Sequence, residues 1–329
     1  MTRNRRYCPK FWRCSKMCVF VIGSICFLGI YLFFIPVIFN YFAVLAKMKA
    51  SFASEFNDTQ PFRFIINERD KCKDGAPFLI LLIATKADEM LHREAIRKTW
   101  GNESVVPNVK VVRLFMLGAN DKDQNEALLW ESRKHHDIIQ QDFLDAYKNL
   151  TLKTMMGLKW IINYCGGASF VMKTDTDVFV NTEYLIQKLL KPLVPLSQYF
   201  FTGFLMRNAR PHRNIASKWY VPKDIYPAES YPDFCSGTGY VFSGSLVPKI
   251  VNASSKVKFL YLEDVYVALC LDQEGIKMVP PPENYLFNIH KVSFSPCTYD
   301  RLITSHGINP NEQIIYWETL QKEKHECGK

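Results

Sequence analysis

Hydrophobic and polar positions along the chain fall into a repeating alternation. "PFLILLIAT" (77–85) is an unbroken apolar run bounded by Gly75 and by a charged stretch, as expected of a strand buried on both faces. Leu91, Ala95, Ile96 and Thr99 then recur on one face of a predicted helix over 91–100. The order repeats: "VKVVRLFMLG" (109–118) reads as a strand, "DQNEALLWESRKHH" (123–136) as a helix, "DIIQQDF" (137–143) as a short strand and "NLTLKTMMGLKWIINYC" (149–165) as a helix. "ASFVMKTD" (168–175) supplies the next strand. Strand and helix alternating at these intervals predict a doubly wound α/β sheet with helices on both faces. Beyond 181 the pattern loosens. Prolines and aromatics crowd 211–234, "FCSGTGYVFSG" (234–244) reads as a loop entering a strand, and "LEDVYVALCLDQEG" (262–275) as a short acidic lead into a helix ended by Gly275. Pro280–Pro282 breaks the chain before a last segment that carries His290 and His306.

One apolar run is too long for this scheme. Residues 17–39, "MCVFVIGSICFLGIYLFFIPVIF", carry no charge, and roughly 20 apolar residues suffice to cross a bilayer as a helix. Arg3, Arg5, Arg6, Lys10, Arg13 and Lys16 precede it without an acidic residue, which holds the N-terminus in the cytosol and sends the rest across. The run exceeds the apolar core of a cleaved signal, and no small-x-small cleavage site follows it. The expected organisation is a cytoplasmic tail (1–16), a transmembrane signal anchor (17–39), a polar stem (40–75) and a lumenal globular domain (76–329). The formal charge of +9 belongs mostly to the tail, since removing its six basic residues leaves +3 for the remainder. A nearly neutral body gives no argument for nucleic acid.

Two further features bear on the compartment. Four acceptor sequons for N-glycosylation occur, at Asn57, Asn102, Asn149 and Asn252. Six cysteines follow the anchor, Cys72, Cys165, Cys235, Cys270, Cys297 and Cys327. In an oxidising lumen they allow up to three disulfides, whose pairing the sequence leaves open. No C-x-x-C spacing suggests zinc.

The candidate chemistry centres on "FVMKTDTDVFVN" (170–181), where a buried strand runs into Asp175 and Asp177. In a doubly wound sheet ligands sit at the carboxyl ends of the strands, and two carboxylates there repel unless something positive joins them. A hard divalent cation such as Mg2+ or Mn2+ meets that need. A calcium loop is a poor match, because Val180 stands where a glycine turn is required and no Glu closes the loop. A phosphatase-type Asp-x-Asp expects a small residue where Phe179 stands. A metal clamp on the diphosphate of a nucleotide-sugar fits better, with a solvated strand-to-loop turn as the plain alternative. Glu263-Asp264 at a helix start could be only a cap, yet a transferase that deprotonates a hydroxyl needs such a base. His306, in "ITSHGINP", lies outside any apolar period.

Taken together, "EAIRKTWG" (94–101), "LFMLG" (114–118), "HDIIQQDFLDAYKNLTLKT" (136–154), "FVMKTDTDVFVN" (170–181), "KWYVP" (218–222), "YPDFCSGTGYVFSG" (231–244), "LEDVYVALCL" (262–271) and "LITSHGINPNEQIIYW" (302–317) resemble, in order, the blocks of the β-1,3-galactosyltransferases. The resemblance spans about residues 62–327. It implies a single A-type glycosyltransferase domain with a Rossmann-like sheet in a single-pass type II protein of the Golgi membrane. It further implies UDP-galactose as donor, Mn2+ as cofactor, and inversion onto the 3-hydroxyl of an N-acetylglucosamine acceptor on glycoprotein or glycolipid. By position it assigns Asp175 to metal and nucleotide, Asp177 and His306 to the metal, and Asp264 to the catalytic base. Arg93 and Arg97 would lie near the donor, and Trp219, Gly237 and Gly239 on the acceptor side. The chain departs from the family at Ala268, usually glycine, and Phe204, usually tyrosine; neither is a ligand or the base. Transfer of N-acetylglucosamine or N-acetylgalactosamine on the same scaffold, or an inactive sugar-binding relative, are the competing expectations.

Overall fold

The computed structural model describes residues 34–40, 43, 62–194 and 199–327. Among them no helix is long and apolar enough to cross a membrane. The expected tail, most of the 17–39 anchor and the Asn57 sequon lie outside the described residues, and residues 34–40 are helical. The chain divides into Met1–Pro61 and Phe62–Lys329, and the second unit is described by itself.

Residues 62–75, read as the end of a stem, are built into this body. Strand β1 (Phe64–Ile66) forms one edge of the sheet, and Cys72 is disulfide-bonded to Cys165. The core follows in the predicted order: β2 (Leu79–Ala84), α1 (Met90–Lys98), β3 (Val111–Ala119), α2 (Lys122–His135), β4 (Ile138–Leu144), α3 (Leu150–Tyr164) and β5 (Phe170–Asp175). The chain continues through β6 (Val178–Val180), β7 (Phe201–Met206), β8 (Phe234–Ser243), α4 (Val247–Ser254) and α5 (Glu263–Gln273). It closes with β9 (Phe287–Asn288), β10 (Thr304–His306) and α6 (Pro310–Glu323).

Seven strands form the main sheet in the order β1-β4-β3-β2-β5-β8-β7. β2 to β5 are mutually parallel, while β8 runs antiparallel to β5, β7 to β8, and β1 to β4. The doubly wound expectation therefore holds for the middle of the sheet, and antiparallel strands complete both edges. β2 is buried at every position, as a strand covered on both faces must be. Leu79, Leu81 and Ile83 join one core with Ile96 of α1, Leu128 of α2 and Trp317 of α6. α3 covers β2 and β3 and contributes buried Met156, Leu158 and Ile161 outside that core. Leu91, assigned to the buried face of α1, is exposed, because the helix turns inward only from Arg93. "FCSGTGYVFS" is strand throughout rather than a loop entering one.

The winding direction reverses between β2 and β5, whose ends are in register at Ala84 and Asp175. This switch point is where a ligand crevice opens in such sheets. A second sheet, β6-β10-β9, lies just past it.

Candidate active site

β5 leaves the sheet core as an acidic turn. Lys173 and Asp175 share a strand face by the two-residue period, and Lys173 Nζ lies 2.8 Å from Asp175 Oδ1. The same ammonium donates to the Gly237 carbonyl of β8 at 2.7 Å and lies 3.4 Å from Glu263 Oε2 of α5. One fully buried lysine thus ties together β5, β8 and α5. Burial alone would lower its pKa, but Asp175 and then Glu263 outweigh it and hold the amine charged.

α5 begins with Glu263 and Asp264 and has no side-chain cap at Leu262. Asp264 instead accepts from two backbone amides, Gly237 N–H to Oδ2 at 3.1 Å and Val265 N–H to Oδ1 at 2.9 Å. Gly237 makes room for this approach: a Cβ there would sit 3.2 Å from Glu263 Oε2, a tight contact, and 3.5 Å from Asp264 Oδ2. Burial pushes the Asp264 carboxyl up, opposed by those two amides and by Lys173. Glu263 is raised for the same first reason; its Oε1 accepts from the Tyr240 hydroxyl, while Oε2 has no hydrogen-bond partner.

His306 reaches this edge by strand pairing. β10 runs antiparallel to β6 with His306 opposite Val178, so its Nε2 lies 3.2 Å from Asp177 Oδ2. Gly307, at φ 77°, makes the turn that returns the Ile308 amide to the Asp177 carbonyl at 2.9 Å. Burial would raise Asp177, but the hydrogen bond and charge of His306 hold it low. Asp177 in turn raises His306 against the opposing effect of burial.

The pair passes a chemical test for a metal. The His306 Nδ1 faces the Ile289 carbonyl at 3.1 Å, which only an N–H can satisfy, so a neutral ring directs the lone pair of Nε2 at the Asp177 carboxylate. Two acceptors facing each other are reconciled by a proton or by a cation, and an imidazole oriented through its other nitrogen is the usual form of a histidine ligand. Among the described residues no group of three His, Cys, Asp or Glu side chains gathers as a metal centre. Of the expected trio, Asp177 and His306 come together, whereas Asp175 is engaged by Lys173.

The arginines are taken up by internal ion pairs. Arg93 is 1% exposed, and its N–H groups go to Glu131, Thr85, Lys86 and Ala87. It braces the β2–α1 loop from beneath. Arg97 pairs with Asp137 at 2.8 Å and Glu131 at 2.7 Å, and Asp137 directly precedes β4, whose Ile138 is level with Phe115 of β3 and Ile83 of β2. Trp219 is 44% exposed, with the Lys218 ammonium 4.7 Å from its ring centroid. Gly239 is paired to Thr174 within the sheet.

Several contributors escaped the sequence reading. Lys173 and Tyr240 orient the carboxylates, and only the shared strand parity of Lys173 and Asp175 hinted at the first. Glu89 and Gln313 clamp the turn between the aspartates: Thr176 donates to Glu89 at 2.8 Å, and Gln313 donates to the Thr176 carbonyl at 2.7 Å. Away from the crevice, Asn102 and Asn252 are exposed. Asn149 is 2% exposed and donates to the Leu144 carbonyl at 2.9 Å, which leaves no room for a glycan. The cysteines pair as Cys72–Cys165 and Cys297–Cys327, and Cys235 and Cys270 are buried thiols.

The family model for galactosyltransferases matches residues 91–282. The chain is 54% identical over 267 residues to beta-1,3-galactosyltransferase 2 of Homo sapiens, covering 80% of this chain and 63% of that one. It is 47% identical over 265 residues to beta-1,3-galactosyltransferase 1 of Mus musculus, covering 80% of each. The match spans less than two thirds of the length of the former relative. Among solved structures, a mannosyltransferase from Pyrobaculum calidifontis in complex with GDP-Man and Mn2+ overlaps with a TM-score of 0.38 at 12% identity. That overlap covers 69% of this chain and 59% of that one, too loose a likeness to inform the chemistry.

Proposed function

The chain belongs to the galactosyltransferase family, and from that premise we propose that it transfers galactose from UDP-galactose to the 3-hydroxyl of an N-acetylglucosamine acceptor, with inversion to a β-1,3 linkage. The observation that carries the proposal is the Asp264 carboxylate, fixed by the Gly237 and Val265 amides at the crevice edge that also holds Asp175, Asp177 and His306.

Asp264 takes the proton of the acceptor hydroxyl while that oxygen bonds to the anomeric carbon. The bond from that carbon to the diphosphate oxygen breaks, and its electron pair leaves with UDP. Burial strengthens the base by disfavouring its charge, and the two amides keep it aimed. Lys173 holds Asp175 and the Gly237 backbone in one frame, so the donor-side and base-side elements keep their spacing. Asp177 and His306 would hold Mn2+, which supplies positive charge against the donor diphosphate when bound. Asp264 cannot be the leaving-group acid in an inverting displacement, so UDP departs as the anion.

The same proposal places the protein as a single-pass type II protein of the Golgi membrane, anchored by 17–39 and acting on glycoprotein or glycolipid in the lumen. The 17–39 apolar run, the two disulfides and exposed sequons at Asn102 and Asn252 support that placement. The test is a matrix of UDP-sugars against acceptors with the full-length chain, read as UDP release. UDP-galactose with a terminal N-acetylglucosamine should give the highest turnover and lose it on chelation. A preference for UDP-N-acetylglucosamine or UDP-N-acetylgalactosamine would reassign the donor.

A further inference from the structure

Asp177 and His306 come from distant stretches of the chain, and a fully buried glutamine joins the two. Gln313, in the first turns of α6, is 0% exposed. Its Nε2 donates to the Thr176 carbonyl at 2.7 Å and, more weakly, to the Ile308 carbonyl at 3.4 Å. Its Oε1 accepts from the Trp100 indole at 3.0 Å. Trp100, Ile308 and Trp317 belong to the apolar core, where a buried amide is costly unless it is hydrogen-bonded. A leucine or methionine could fill the same space without that cost, so packing alone does not explain a glutamine here.

What the amide grips is the turn between the aspartates. The Thr176 carbonyl belongs to the peptide plane that enters Asp177. The plane that leaves Asp177 is held as well, because the Asp177 carbonyl accepts from the Ile308 amide at 2.9 Å. Peptide units are planar, so holding both planes beside Asp177 fixes its φ and ψ and with them the direction of its Cβ. Both anchors lie on the segment that carries His306, since Ile308 and Gln313 follow it by two and seven residues. The Thr176 hydroxyl is also tied to Glu89 at 2.8 Å. Backbone contacts therefore set the 3.2 Å approach of His306 Nε2 to Asp177 Oδ2, and the side chains do not have to find each other.

We propose that Gln313 is a positioning residue for this pair. It touches neither metal nor substrate; its amide holds the Thr176–Asp177 peptide against α6, so that Asp177 and His306 are already spaced for Mn2+ before the ion binds. The inference rests on the assignment of these two residues to Mn2+ above.

The test measures Mn2+ binding to the full-length chain with UDP present, read as loss of the electron paramagnetic resonance signal of free Mn2+ relative to UDP alone. Gln313→Met keeps the length and loses the hydrogen bonds, and Gln313→Asn keeps the amide but falls one methylene short of Thr176. Leu320→Ala, about two turns further along α6 and in the same apolar core, is the packing control. Loss of contacts that orient metal ligands typically costs about 10–100-fold in affinity. The Mn2+ Kd should therefore rise about 10–100-fold in both Gln313 variants and stay at the wild-type value in Leu320→Ala. A wild-type Kd in either folded Gln313 variant would overturn the inference. So would an equal rise in Leu320→Ala, since a loosened core would then account for it, and so would failure of both Gln313 variants to fold, which would make the residue part of the scaffold. A wild-type chain that leaves the free Mn2+ signal unchanged would instead overturn the assignment of Asp177 and His306 to the metal, and this inference with it.

Discussion

Two buried charge clusters lie on opposite sides of the central sheet, and they are built on different terms. Between α1, α2 and β4, three arginines, Arg93, Arg97 and Arg113, meet Glu131 and Asp137 in direct pairs. Arg113 adds the Gly101 carbonyl at 2.6 Å and Arg93 the β2–α1 loop, so the donors are spent and the charges nearly cancel. Asp137 is accordingly held below the ordinary carboxylate range: burial opposes this, but the hydrogen bond from Arg97 and the charge of Arg113 prevail. Between β5, β8 and α5 the balance is reversed. Lys173 alone faces Asp175, Glu263 and Asp264, Glu263 Oε2 has that ammonium at 3.4 Å but no hydrogen bond, and all three carboxyls are pushed up, first by burial. The first cluster is finished by the protein itself. The second has a deficit of positive charge and of hydrogen-bond donors, as expected where a cationic cofactor and a substrate hydroxyl are to be accommodated. Counting charged side chains would rank the arginine cluster first; asking which cluster is unsatisfied selects the other.

The largest stability effects should come from removing the charge each cluster depends on. Lys173→Met strands buried carboxylates, and Asp137→Asn strands Arg97 and Arg113. Each should cost about 3–5 kcal/mol in urea unfolding, the usual penalty for breaking a buried ion pair from one side. The two should part in activity: the folded fraction of Asp137→Asn keeps wild-type kcat, and that of Lys173→Met does not. Equal kcat losses would erase the distinction between the clusters.

Acid should separate them more gently. Asp137 is depressed, so its contribution to stability is full above the ordinary carboxylate range and is lost only as pH falls through its lowered value. Asp264 is raised, so its base form is lost at a higher pH, and its contribution to stability falls away as pH rises through that raised value. A pH–rate profile should therefore lose kcat on its acid limb while circular dichroism still reports a folded chain. Coincident loss of both would place the titration in the scaffold.

How much of this was readable from residues alone follows from burial. β2 and β5 announce themselves because a parallel strand covered on both faces must be apolar throughout, and Asp175 then marks its carboxyl end. The clamp at that end was less legible. His306 is delivered by β10 pairing with β6, a long-range contact with no local signature, and Lys173 interrupts an apolar strand without declaring its partners. Arg93 and Arg97 misled because a helical cation near a ligand edge looks like an anion binder. In the fold Glu131 and Asp137 already use them. Asn149 fits the sequon rule and is buried, because its amide is spent on holding the turn that carries Tyr147.

The central claim is that the unsatisfied cluster holds the base. Its most direct test is UDP release by Asp264→Asn in the full-length chain, given UDP-galactose, Mn2+ and a terminal N-acetylglucosamine acceptor. Positioned base catalysis contributes about 10²–10⁴-fold, so turnover should fall by about a thousandfold. The melting temperature should stay at or above that of wild type, because a costly buried charge has been removed. Turnover near the wild-type rate, or a loss matched by unfolding, would contradict the assignment.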